Sequence, residues 1–100
     1  RETAGPKATL GQQMPPGGWG GWAKAFDDSL RAQERMGGID PRVARKAREK
    51  LWRAARRSGD DQVRQVTEVY HDLVKALEKG EMDPFGPAVD FMNDWSLPSR

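Results

Sequence analysis

Apolar positions recur with a helical period over most of the chain, in stretches separated by Gly pairs and Asp-Pro steps. In the first stretch, Trp22, Ala23, Phe26, Leu30, Gln33 and Met36 fall on one side at about 100° per residue. Lys24, Asp27, Asp28, Arg31, Glu34 and Arg35 fall on the other. Asp27 and Arg31 stand in the favourable acid-first i,i+4 order. A helix over 22–36 is predicted. Gly37-Gly38 ends it, because glycine takes the left-handed position after a helix at little cost.

Asp40-Pro41 starts the second helix, expected over 41–58. The aspartate caps free backbone N–H groups, and proline at the first helical position has no N–H to leave unpaired. Val43, Ala44, Ala47, Leu51, Ala54 and Ala55 form one narrow stripe, and the rest of that surface is charged apart from Trp52 and the closing Ser58. Ser58-Gly59-Asp60-Asp61 reads as a tight joint, with Ser58 or Asp60 as the next cap. The third helix, over 61–79, carries Val63, Val66, Tyr70, Leu73 and Leu77 at 3-4-3-4 spacing, with Val69 and Val74 widening the stripe. Gly80 closes it. A short fourth helix from Pro87 to Trp95 would align Ala88, Phe91, Met92 and Trp95. No strand and no internal repeat is predicted, and residues 96–100 read as frayed.

The predicted architecture is all-α, a small three-helix bundle (22–36, 41–58, 61–79) with a short C-terminal helix and an extended aromatic arm at each end. Residues 1–21 form the first arm, with six Gly and three Pro and with Trp19 near its end. Such composition loses too much backbone entropy on ordering to fold by itself. Residues 22–80 form the helical core, and 81–100 the second arm. Short joints favour adjacent, antiparallel neighbours.

Composition sharpens this picture. Of 100 residues only 16 are Leu, Ile, Val or Phe, while four are Trp, so aromatic groups must complete a thin core or serve as contacts. The absence of Cys excludes disulfide frameworks, thiolate zinc sites and cysteine nucleophiles. No apolar run approaches the roughly 18–20 residues that span a bilayer. The expectation is a soluble protein whose compartment the sequence leaves open, with cytoplasm and organelle matrix both compatible. Its first residue, Arg1, fits a processed or trimmed start.

Net charge is +2, but helix 41–58 alone holds eight basic residues against Glu49, for +7. Arg42, Arg45, Lys46, Arg48, Arg53, Arg56 and Arg57 are the candidate contacts to an anionic partner, with Lys50 beside them. The plainer account is a solvated face partly neutralised by the protein's own acidic C-terminal segments, which carry −2 over 59–80 and −3 over 81–100. Trp52 lies about 120° from the Ala stripe, among the arginines. It could be covered by them as a cation–π pair, receive the C-terminal arm, or insert into a partner; packing within the chain is preferred.

Catalysis needs convergent titratable groups in a pocket. The single histidine, His71, borders the apolar stripe of the third helix, and the acid pairs Asp27-Asp28 and Asp60-Asp61 belong to helix surface and cap. No catalytic residue, metal ligand set or cofactor motif is identified. The leading expectation is therefore a non-enzymatic helical interaction protein, an accessory or structural subunit of a larger assembly. It would dock through Trp19, Trp22, Trp52, Phe85, Phe91 and Trp95 and through the basic helix. The alternative is a nucleic-acid-binding protein using helix 41–58. A third reading is a homo-oligomer joined through the 63–77 stripe.

Overall fold

Each run of helical period becomes a helix, and the fold is all-α: three long helices with a short C-terminal one. The computed structural model describes residues 8–9, 15 and 17–96. Its elements are β1 (Ala8–Thr9), α1 (Gly18–Arg35), α2 (Pro41–Ala55), α3 (Gly59–Glu78), α4 (Pro87–Met92) and β2 (Trp95–Ser96). The expected arm over 1–21 and the frayed end lie mostly outside the described residues.

α2 lies between α1 and α3, while α4 packs on α1; α1 and α3 approach each other only slightly. The Ala stripe explains this order. Ala44, Ala47, Leu51 and Ala54 are buried, and the three small alanines let a neighbouring helix come close. Asp40 caps α2 as expected, its Oδ1 accepting the Arg42 N–H at 2.8 Å. The end of α2 moves from the expected 58 to Ala55, where the Ala54 carbonyl accepts both the Arg57 N–H at 3.0 Å and Gln62 Nε2 at 2.9 Å. Ser58 sits at the N-cap of α3, but its hydroxyl makes no capping bond. The stripe on α3 is consumed inside the chain: Val66, Val69, Tyr70 and Leu73 are all buried.

Further expectations are corrected. The first arm is not extended up to residue 21, because α1 starts at Gly18. Two glycines inside the helix (Gly20 and Gly21) each cost about 1 kcal/mol relative to Ala, while Gly18 opens it at φ +77°, where Ala would be strained. Trp19, Trp22 and Phe26, at i, i+3 and i+7, offset this by burying large rings on one face. Met36, placed on the inward face, is 68% exposed, since it is the C-cap residue and the chain turns away at Gly37. Finally, a strand pair exists: Ala8–Thr9 and Trp95–Ser96 form a two-residue parallel ladder. No period-2 pattern could signal so short a pairing.

The second arm also folds back. Phe91 stacks on Phe26 with ring centroids 4.9 Å apart, and Trp95 meets Trp22 edge-on at 5.7 Å and Trp19 at 5.8 Å. The Tyr70 hydroxyl is directed at the carbonyls of Met92 (2.9 Å) and Trp95 (2.8 Å), tying the end of α4 to α3. Burial pushes the Tyr70 phenol above its ordinary pKa, and the Asp72 hydrogen bond raises Lys50 more than its own burial lowers it. Both folded values lie above the unfolded ones, so their stability contribution is complete below about pH 10 and is lost as pH rises beyond it. Tyr70→Phe is expected to cost about 1 kcal/mol at pH 8. It should also flatten the decline between pH 8 and pH 11 in urea unfolding, leaving only the Lys50 part. An unchanged alkaline decline would disprove the assignment to Tyr70.

At the opposite end of α1 the interhelix turns are cross-linked. Ile39 and Met82 form an antiparallel bridge, the Asp40 N–H donates to the Glu81 carbonyl at 2.9 Å, and the Asp83 N–H donates to the Gly38 carbonyl at 2.7 Å. Gln33, fully buried, completes this end. Its Nε2 donates to the carbonyls of Gly38 (2.9 Å) and Asp83 (3.1 Å), and its Oε1 accepts the Ala88 N–H at 3.0 Å.

Candidate functional site

α2 exposes the surface with the most chemistry. Its cations, with Arg56 and Arg57 just after it, divide into two groups. Arg48 donates to the Asp27 carboxylate of α1 at 2.8 Å, and Lys50 to Asp72 of α3 at 2.6 Å with Glu68 at 3.5 Å. Arg57 pairs with Asp61 at 3.2 Å, and Arg42 lies 3.7 Å from Asp40. These four are the share that the protein neutralises itself; Asp61, Glu68 and Asp72 come from the acidic C-terminal half, and Asp27 and Asp40 from before it. Arg45, Lys46, Arg53 and Arg56 make no ion pair with another described residue, and all four are exposed.

Trp52 stands in their midst, 57% exposed. This corrects the preference for packing within the chain: the C-terminal segment covers the α1 aromatics instead, on a different face. One side of Trp52 forms the wall of a groove between α1 and α2, about 340 Å³ in volume. Gly20, Ala23, Leu51 and Ala55 form its apolar lining, and Lys24, Arg31 and Arg56 are among its charged residues, with Asp27 and Asp28. The groove is open because the facing positions are small; a Cβ added at Gly20 would meet nothing within 4 Å. On the other side of Trp52 a shallower depression is lined by Arg45, Arg48, Glu49 and Arg53. Across both, six cations face three carboxylates, a net charge of +3 around one exposed indole.

The remaining predicted contacts divide sharply. Trp19 and Trp22 are buried, and Phe91 and Trp95 are partly buried against them, so these four belong to an internal aromatic cluster. Their spacing in the chain suited anchors on a free arm, but the helix begins early enough to turn them inward. Phe85 is the opposite case, 81% exposed. Its N–H donates to Asp83 Oδ1 at 2.9 Å, closing an Asx turn, and Gln33 holds the chain on both sides of it at Asp83 and Ala88. Phe85 is thus presented on a braced turn. Gln33 was legible only as one polar residue in an otherwise apolar stripe; that oddity was the available signal of its role.

His71 is exposed on α3. Among the described residues, no group of three or more His, Asp or Glu side chains could hold a metal ion. No helix among them is long and apolar enough to cross a membrane. No protein-family model, curated protein or solved structure matches the chain.

Proposed function

We propose that this chain is a non-enzymatic helical interaction protein, an accessory subunit whose contact surface is the α2 face around Trp52. The observation that carries the reading is a solvent-exposed indole at the edge of an apolar groove, beside Arg45, Arg53 and Arg56, which make no ion pair with another described residue. Holding a large apolar ring in water forgoes the roughly 1.5–3 kcal/mol that burying such a side chain would return. Trp and Arg are also the residues most enriched among interface hot spots. The partner surface that complements this face is acidic with an apolar anchor. The aromatic arms are no part of this reading, since Trp19, Trp22, Phe91 and Trp95 support the fold.

The second reading, nucleic-acid binding by α2, is favoured by one observation: Arg45, Lys46, Arg53 and Arg56 are exposed and unpaired among the described residues, so they can meet phosphates, each of which releases a counterion on neutralisation.

Affinity purification from native extract, with and without nuclease, decides between them. The expected result is a protein partner retained after nuclease and lost when Trp52→Ala and Arg56→Ala are combined. Both sites are exposed, so thermal unfolding should stay within about 0.5 kcal/mol of wild type. A nuclease-sensitive partner, with affinity that falls steeply in salt and a slope flattened by Arg45→Ala with Arg56→Ala, would replace the protein reading with the nucleic-acid one. Retention unaffected by Trp52→Ala would remove this face from consideration.

A further inference from the structure

We infer that the Trp52 groove accepts the Phe85 turn of a second copy of this chain, so that the protein associates head to tail. The inference rests on the reading of the α1–α2 groove as a docking site and names an occupant for it.

Trp52 and Phe85 are the two aromatic side chains left largely in solvent among the described residues, and their surroundings are complementary. Trp52 borders a groove and a depression carrying a net +3. Phe85 lies in the segment 82–96, which contains Asp83, Asp90 and Asp94, all exposed, and no cation; Glu81, just before it, faces Arg42, Arg45 and Lys46 of its own chain. The shapes match as well. Phe85 is a single projecting ring on a turn braced by Asp83 and Gln33, so little conformational entropy remains to be lost on docking. The groove, at about 340 Å³, is at the small end of the range of about 300–1,000 Å³ for ligand pockets and suits one aromatic side chain with its neighbours.

One molecule cannot fill its own groove. The groove takes its α1 lining from Gly20 to Arg31, centred on Ala23 and Asp27 beside the C-terminal half of α2. The Phe85 turn is fastened to Gln33 and Gly38 at the far end of the same helix pair. Ala23 and Gln33 alone are about 15 Å apart along the helix axis. A knob at one end and a groove toward the other make a heterologous contact, which propagates into a ring or an open chain rather than closing as a two-fold dimer. It also leaves the 63–77 stripe of α3 inside the fold.

Sedimentation velocity of the full chain across a concentration series tests this. Wild type should show a weight-average mass that rises with concentration at low salt and falls as salt is added. Trp52→Ala and Phe85→Ala should each weaken association by about thirtyfold, the loss typical of an aromatic hot spot. Mixing the two variants is decisive. One retains the Phe85 knob and the other the groove, so together they should form a complex of two chains and nothing larger. Three results would overturn the inference: a monomeric wild type throughout the series, association insensitive to either substitution, or failure of the mixed variants to pair while wild type associates. None of these touches the retention of a foreign partner through Trp52, which is measured separately by the nuclease-controlled purification.

Discussion

Gln33→Ala should lower stability by about 3–5 kcal/mol, enough to consume much of the 5–15 kcal/mol that holds a typical domain together. The carboxamide is fully buried and makes three hydrogen bonds, using both N–H donors and its oxygen. Removing it leaves the Ala88 N–H and the Asp83 carbonyl without that partner, at about 1–3 kcal/mol for each buried group. The Gly38 carbonyl loses less, because it still accepts the Asp83 N–H at 2.7 Å. A cavity adds to the loss. In thermal unfolding the melting temperature should fall by more than about 10 °C. Gly86 supplies an independent check. An added Cβ there would lie 2.5 Å from Gln33 Oε1 and 2.6 Å from its Cδ, so Gly86→Ala must displace the carboxamide. The Gly86 backbone is extended, and the obstacle is space rather than strain. The two substitutions should be strongly non-additive: in the Gln33→Ala background, Gly86→Ala should cost little. Full additivity would show that Gln33 is not what Gly86 accommodates.

The second large effect is expected at Trp22→Ala, at about 3–5 kcal/mol. Trp22 is the hub of the aromatic cluster, with ring centroids 5.3 Å from Trp19, 5.2 Å from Phe26, 5.3 Å from Phe91 and 5.7 Å from Trp95. Its loss should loosen α4 and the segment after it as well as α1, because Phe91 and Trp95 lean on the same ring. The indole N–H is buried with no hydrogen-bond partner among the described residues. Trp22→Phe, which keeps a ring and removes that donor, should therefore recover most of the loss. The comparison with Trp52→Ala is the sharpest part: that exposed indole should change stability by no more than about 0.5 kcal/mol. Guanidinium unfolding of the three variants checks all of this. Equal costs at positions 22 and 52 would contradict the division between a structural and a contact tryptophan.

That division is also where the chain was hardest to read. The stripes of α2 and α3 were plain, since Ala44, Ala47, Leu51 and Ala54, like Val66, Tyr70 and Leu73, keep a helical period and have no other use for their apolar faces. The basic character of α2 was equally plain, but not which cations remain available. Arg48, Lys50 and Arg57 are engaged by Asp27, Asp72 and Asp61, and those partners depend on how the helices lie together. For the aromatic residues local pattern gave opposite answers. Trp19 stands among glycines and suggested an arm, yet it is buried; Trp52 stands in a regular helix and suggested internal cover, yet it is exposed.

What the sequence determined by itself is therefore everything governed by local period and local punctuation. That covers the four helices, the Asp40-Pro41 start of α2, the glycine stops, and a basic helix with a narrow Ala stripe. Tertiary structure alone decided which of the large rings are core. Burial belongs to pairs of surfaces rather than to single residues: Trp22 is covered because Phe91 and Trp95 return to it, and Trp52 is open because no described segment reaches its side of α2. The same holds for Gln33, whose partners lie up to 55 residues away in the chain. Its hydrogen bonds exist only once the two ends of the fold have met.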